Sequence, residues 1–214
     1  MIESSAILLS TAYFGPVRYF SKLAVYPQIY IEQHENFIKQ TYRNRTVILG
    51  PNGTIPLIVP VEKGREKKIT IKELRIAYDE EWQRTHWRTI FSAYNSSPFF
   101  EYYADDLEPF FRKKFSFLFD LNQEITETLI EILEIPGSLN LTEDFECIPQ
   151  NYLNFRENIS PKAHKVSEDP GFAPKTYTQV FSEKFGFIPD LSILDLLFNE
   201  GPSAHQVLMG SIVA

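Results

Sequence analysis

The sequence holds a single cysteine among its 214 residues, Cys147. One thiol closes no internal disulfide and builds no cysteine-rich metal site, so the chain fits a reducing compartment. Glu146 sits beside Cys147. An acidic neighbour raises a thiol pKa, so a nucleophilic role is not expected there. Basic residues do not dominate: the formal net charge is −7. That balance opposes a whole-surface attraction to nucleic acid or to anionic lipid, while leaving room for a local patch that binds a small anion. No apolar run approaches the length of a membrane span, and the first residues, Met1-Ile2-Glu3-Ser4, lack the basic start of a signal peptide. The expected location is cytoplasmic. Glycine-rich nucleotide loops, His-Glu-x-x-His and Gly-x-Ser-x-Gly are all missing. The four histidines, His34, His86, His164 and His205, show no metal-ligand spacing, so neither a structural metal nor a cofactor is expected.

Large rigid side chains are plentiful. Phe occurs 18 times against two Met, and apolar residues make up 43% of the chain. That supply supports a sizeable core in one domain spanning 1–214. Ala6-Ile7-Leu8-Leu9 is a short continuous apolar run, the pattern of a strand buried on both faces. Gly15-Pro16 follows, with Pro16 suited to the first helical position and Val17, Phe20 and Ala24 at helical spacing. Pro27 stops that helix, and residues 28–33 alternate as a second strand. The start therefore reads as a βαβ unit within a mixed sheet of an α/β fold. Residues 46–49 and 54–61 flank Gly50-Pro51-Asn52-Gly53, a hairpin signal in which Asn52 and Gly53 are expected to supply positive φ angles. Residues 62–68 read as a charged loop and 69–76 as a further strand. Asp79 is placed to cap a helix carrying Trp82, His86, Ile90, Ala93 and Tyr94 on one face. Two more helical patterns follow at 100–111, with a break at Pro109, and at 118–132. Residues 137–175 lose all periodicity and read as an irregular extended segment. Ser192 and Asp195 match a capping box, and Gly201-Pro202 ends that last helix.

In an open α/β sheet, ligands bind beyond the C-terminal ends of the strands. Two segments should converge there. One is Thr11-Ala12-Tyr13-Phe14-Gly15, leading into a helix whose first amides suit an anion. The other runs from His34-Glu35 through Lys39 to Tyr42, Arg43, Asn44 and Arg45. His34 or Glu35 would move a proton, and Lys39, Arg43 and Arg45 would hold phosphate or carboxylate. Against this, charges alone at a strand edge are commonly a solvated face. His86, one turn from Trp82 and from Ile90, reads as a packed histidine on periodicity alone. His164 and His205 read as surface residues.

Several blocks carry a family likeness. Thr11-Ala12-Tyr13-Phe14-Gly15-Pro16, the stretch from His34 to Arg45, the helix from Trp82 to Pro98, and the closing Phe187-Ile188-Pro189-Asp190-Leu191-Ser192 through Asn199 resemble, in order, the motifs of the bacterial WbqC-like family. The resemblance implies a place in O-antigen or other surface-polysaccharide biosynthesis and does not fix the reaction. It points to Tyr13, Lys39, Asn44, Arg45, Trp82 and His86 as substrate-binding positions, with Tyr42 and Arg43 beside them. Thr11-Ala12 stand where the family has Gln-Pro, and the family's usual segment before the closing motif is missing from 137–175. Three functions follow as expectations. The first is a transferase acting on a nucleotide-sugar or other phosphate-bearing precursor. The second is a non-catalytic module that binds such a precursor. The third is a protein-interaction domain using the aromatic helices.

Overall fold

The computed structural model describes residues 6–62, 68–145, 152–162, 169 and 171–213. Cys147, His164 and the middle of the charged loop, 63–67, lie outside the described residues. Four parallel strands form the main sheet in the order β5-β2-β1-β6. They are β1 (Ala6–Ser10), β2 (Gln28–Glu32), β5 (Ser138–Leu141) and β6 (Leu153–Asn154). Strand β1 is buried along its whole length, as its unbroken apolar run requires. Ile7 stands opposite both Ile29 and Leu153, and Leu8 opposite Tyr30 and Asn154. Helix α1 (Val17–Val25) crosses from β1 to β2. Pro16 is its N-cap in extended backbone, one position earlier than expected, and forms a bridge to Ser192.

The antiparallel pair β3 (Arg45–Gly50) and β4 (Gly53–Ile58) makes a separate two-stranded sheet. Only Gly53, at φ 113°, takes a positive φ in its turn. Pro51 fixes its own φ near −65°, so the expected Asn-Gly type of turn gives way to one with its left-handed residue at the end. Residues 69–76 are not a strand. They form a 3-10 turn over Ile71–Glu73 flanked by single bridges from Thr70 to Asn36, Arg75 to Phe117 and Ile76 to Val61.

Helix α2 (Trp82–Tyr94) starts later than Asp79 would allow: Glu81 is its N-cap, with no side-chain cap. Helix α3 (Phe100–Leu107) passes into a 3-10 turn at Glu108–Phe111, with Pro109 inside that turn. Helix α4 (Leu118–Ile132) buries Leu118, Leu121, Ile125 and Leu129 completely, the i, i+3, i+7, i+11 stripe of an amphipathic helix. A short α5 (Ser182–Phe185) precedes α6 (Ile193–Glu200) and α7 (Ala204–Gly210).

The segment 137–175, expected to be irregular, supplies both outer strands of the sheet. Strand β6 is two residues long and β5 four, too short to show alternation. Ser192 caps α6 by accepting from the Leu194 amide, but Asp195 does not reach back to complete a box. Its buried carboxylate accepts instead from Tyr94 Oη (3.0 Å), Tyr177 Oη (2.7 Å) and Gln179 Nε2 (2.9 Å). No helix among the described residues is long and apolar enough to cross a membrane.

Candidate functional site at the C-terminal edge of the parallel sheet

Because the main strands are parallel, their C-terminal ends lie along one edge. Ser10 ends β1 and Glu32 ends β2, while Thr142 and Arg156 follow β5 and β6. The chain runs from β1 to β2 to β5 on one side and then returns to place β6 on the other. The strand order thus reverses between β1 and β6, where open α/β sheets form their binding crevice.

Two buried ion pairs cross that edge. Arg43 grips Glu35 in a fork, Nε to Oε1 at 2.7 Å and Nη2 to Oε2 at 2.6 Å. Nη2 also reaches Ser10 Oγ at 2.7 Å and Glu157 at 3.1 Å. Burial opposes the Arg43 charge, but the hydrogen bonds and charges of Glu35 and Glu157 more than offset it and hold the guanidinium protonated. Arg156 Nη1 donates to Glu32 at 3.0 Å, and Glu32 also accepts from Thr142 Oγ1 (2.9 Å) and the His34 amide (2.8 Å). Asn154 Oδ1 accepts from Arg156 Nε.

A small pocket opens above this network, lined by Ser10, Thr11, Tyr19, Tyr42, Arg43 and Phe155. A shallow cleft continues from it past Lys39, Arg156, Glu157 and Lys162. Lys39 is exposed at its lip. His34 is half-buried, and its Nε2 is buried with no hydrogen-bond partner. The structure therefore brings together Glu35, Lys39, Tyr42 and Arg43 from the expected set. Sequence reasoning missed Ser10, Tyr19 and Arg156. No local signal marks Arg156, since its place follows from the pairing of the two-residue β6.

The amides that open α1 are not available to an anion. Val17 N–H donates to the Leu191 carbonyl (2.9 Å) and Arg18 N–H to Asp190 Oδ1 (2.9 Å). The closing loop already supplies the negative charge that a helix N-terminus attracts. Burial nonetheless pushes the Asp190 carboxyl up to about 6, with the Arg18 ion pair and hydrogen bonds pulling the other way.

Tyr13, Asn44, Arg45, Trp82 and His86 gather on the hairpin side instead. The Tyr13 hydroxyl lies 3.0 Å from His86 Nδ1, and the rings of Trp82 and His86 are 5.1 Å apart. Burial drives His86 down to about 4, a hydrogen bond to the Ile58 backbone working the other way. The ring is neutral at pH 7, so Nδ1 accepts from a phenol that burial keeps protonated. Arg45 stands opposite Ile58 in the hairpin, and Asn44 Nδ2 donates to the Val59 carbonyl at 2.9 Å. Arg45 Nε, Asn44 Oδ1 and Trp82 Nε1 are buried without hydrogen-bond partners. His205, expected at the surface, is partly buried with Nδ1 bonded to the Leu133 carbonyl at 2.9 Å.

The uncharacterized protein Rv1507c of Mycobacterium tuberculosis is 27% identical over 213 aligned residues, covering 89% of this chain and 91% of that one. No solved structure matches. The profile of the WbqC-like protein family matches residues 11–164. That span holds both ion pairs, the hairpin, the Tyr13–His86 contact and the segment with β5 and β6, whereas α6 falls beyond it. With most of its length, the whole strand edge after Ser10 included, inside that match, the chain belongs to the WbqC-like protein family.

Proposed function

We propose that this protein is a transferase acting on a nucleotide-sugar or other phosphate-bearing precursor, bound at the C-terminal edge of the parallel sheet. One observation carries the reading. Arg43 has Nε and Nη2 committed to Glu35 and Ser10, while Nη1 makes no hydrogen bond among the described residues and the side chain lines the pocket at the β1/β6 switch point. A guanidinium fixed along one side presents the other to an anion with little ordering cost. Lys39 and Lys162 add positive charge along the cleft.

Glu35 is the partner that orients Arg43 rather than a proton carrier, because both its oxygens are engaged by that arginine. Proton transfer falls to His34, which lines neither the pocket nor the cleft and would have to turn its buried Nε2 toward the ligand to take the proton of an attacking hydroxyl or amine. Arg43 and Lys39 would hold the phosphate that leaves with the nucleoside. Tyr42 lines the pocket. Tyr13, Asn44, Arg45, Trp82 and His86, expected to bind substrate, line neither the pocket nor the cleft and take no part in the binding proposed at this edge. Family membership supports a setting in surface-polysaccharide biosynthesis.

A second reading is a non-catalytic module for the same ligand. The full engagement of Glu35 favours it, since that leaves His34 as the proton carrier of the proposed site. The two part on turnover. With a nucleotide-sugar that binds, release of free nucleotide in wild type and its loss in His34→Ala support the transferase. Saturable binding without release supports the module.

A further inference from the structure

Several hydrogen-bond donors that line the pocket at the β1/β6 switch point have no partner among the described residues. Tyr19 is 2% exposed, and its hydroxyl has no partner among the described residues. Burial, reinforced by the charge of Glu35, raises the pKa of that phenol, so it remains an O–H donor. Thr11 is 3% exposed, and its hydroxyl takes part in no hydrogen bond among the described residues. The Tyr42 hydroxyl and Arg43 Nη1 are likewise without partners there, and burial keeps the Tyr42 phenol protonated too. Arginine can only donate. The space they surround is about 10 Å³, the room one oxygen-sized group occupies.

Resting on the site proposed above, we infer that this is a donor pocket that receives one oxygen of a ligand's terminal oxyanion, a phosphate or a carboxylate, with Tyr19 and Thr11 as binding residues beside Arg43. An acceptor-only group is the complement of three hydroxyls and a guanidinium edge. A neutral hydroxyl would accept from some of these donors but bring a hydrogen of its own to a pocket of donors, and neither it nor an amide oxygen carries charge to meet Arg43. The rest of the ligand lies in the cleft toward Lys39, which shares Arg43 and Arg156 with the pocket. An unsatisfied buried hydroxyl weakens the empty protein. Its retention makes sense when a ligand supplies the missing acceptor.

The test is calorimetric titration of the full chain with inorganic phosphate and, separately, with acetate, in wild type, Tyr19→Phe and Thr11→Val. Wild type should bind at least one anion, and Tyr19→Phe should weaken that binding about five- to tenfold. The same variant without ligand should melt at the same temperature as wild type or higher. Thr11→Val should weaken binding in the same direction, which guards against a fault peculiar to the ring. A loss confined to phosphate identifies a phosphoryl oxygen, and one confined to acetate identifies a carboxylate. Binding of neither anion, or equal affinity in wild type and both variants, overturns the inference, and so does a clear drop in the melting temperature of unliganded Tyr19→Phe. Anion binding that depends on Tyr19 while no nucleotide-sugar binds would sink the proposed precursor and leave the pocket standing.

Discussion

Lys39 and Glu35 sit close in sequence and do different work. Lys39 is exposed at the cleft, so Lys39→Ala should weaken binding of an anionic ligand while leaving the free energy of urea unfolding within about 0.5 kcal/mol of wild type. Glu35 is 5% exposed and locked to Arg43, so Glu35→Ala leaves a buried guanidinium without its main counter-charge. That should cost about 3–5 kcal/mol in the same experiment. Equal stability losses in the two variants would contradict this division. His86 gives a pH dependence with a definite sign. Its pKa falls from 6.5 unfolded to about 4 folded, so the unfolded chain takes up a proton that the fold refuses. Its contribution is complete above pH 6.5 and is lost as pH falls toward 4, on the order of 3 kcal/mol for the shift. Asp190, raised from 3.8 to about 6, acts oppositely: its contribution is present below 3.8 and lost as pH rises through 6. Replacing His86 by Phe should therefore flatten the acid loss of stability measured by urea titration from pH 7 to 4. An unchanged slope would show that the ring binds its proton equally well in the folded and unfolded chain.

At the scale of elements, the boundaries legible in the sequence were those with a local cause. The burial of β1 follows from its apolar run, and the face of α4 from its periodicity. The 3-10 turn at Ile71–Glu73 was hidden, because single bridges to Asn36, Phe117 and Val61 hold its surroundings and none of these is local. Strands β5 and β6 were hidden for the same reason: pairing with β2 and β1 defines them, not their own pattern. The candidate site shared that fate. Arg43 and Glu35 come from one stretch of sequence, whereas Arg156 enters through β6. The start of β5 can be tested directly. A Cβ on Gly137 would lie 2.8 Å from Ile29 Cδ1 and 3.0 Å from the Tyr26 carbonyl. Gly137→Ala should lower stability by about 1–3 kcal/mol by chemical denaturation, as overpacking against backbone does. In α6, Asp195→Ala removes the acceptor of Tyr94, Tyr177 and Gln179 and should cost about 3 kcal/mol or more. A neutral result at either position would mean that the packing described for that element is wrong.

Over the whole molecule, the parallel sheet brings the ends of four strands to one edge, and α1 with the closing loop covers one side of it. Arg18 and Lys22, one turn apart on α1, fasten Asp190 and Asp169. The charges along that helix are thus committed to structure, whereas at the strand edge the exposed Lys39 and the outer side of the paired Arg43 face the cleft. That edge is the proposed seat of a phosphate-bearing precursor. The measurement that tests it most directly is the melting temperature of wild type and Lys39→Ala against a panel of nucleotide-sugars. A ligand at a hundred times its dissociation constant adds about 2.7 kcal/mol to stability, a shift of several degrees. At least one nucleotide-sugar should give such a shift in wild type and a smaller one in Lys39→Ala, with equal melting temperatures of the two proteins without ligand. No shift with any member of the panel, or the same shift in both proteins, would contradict binding at that edge.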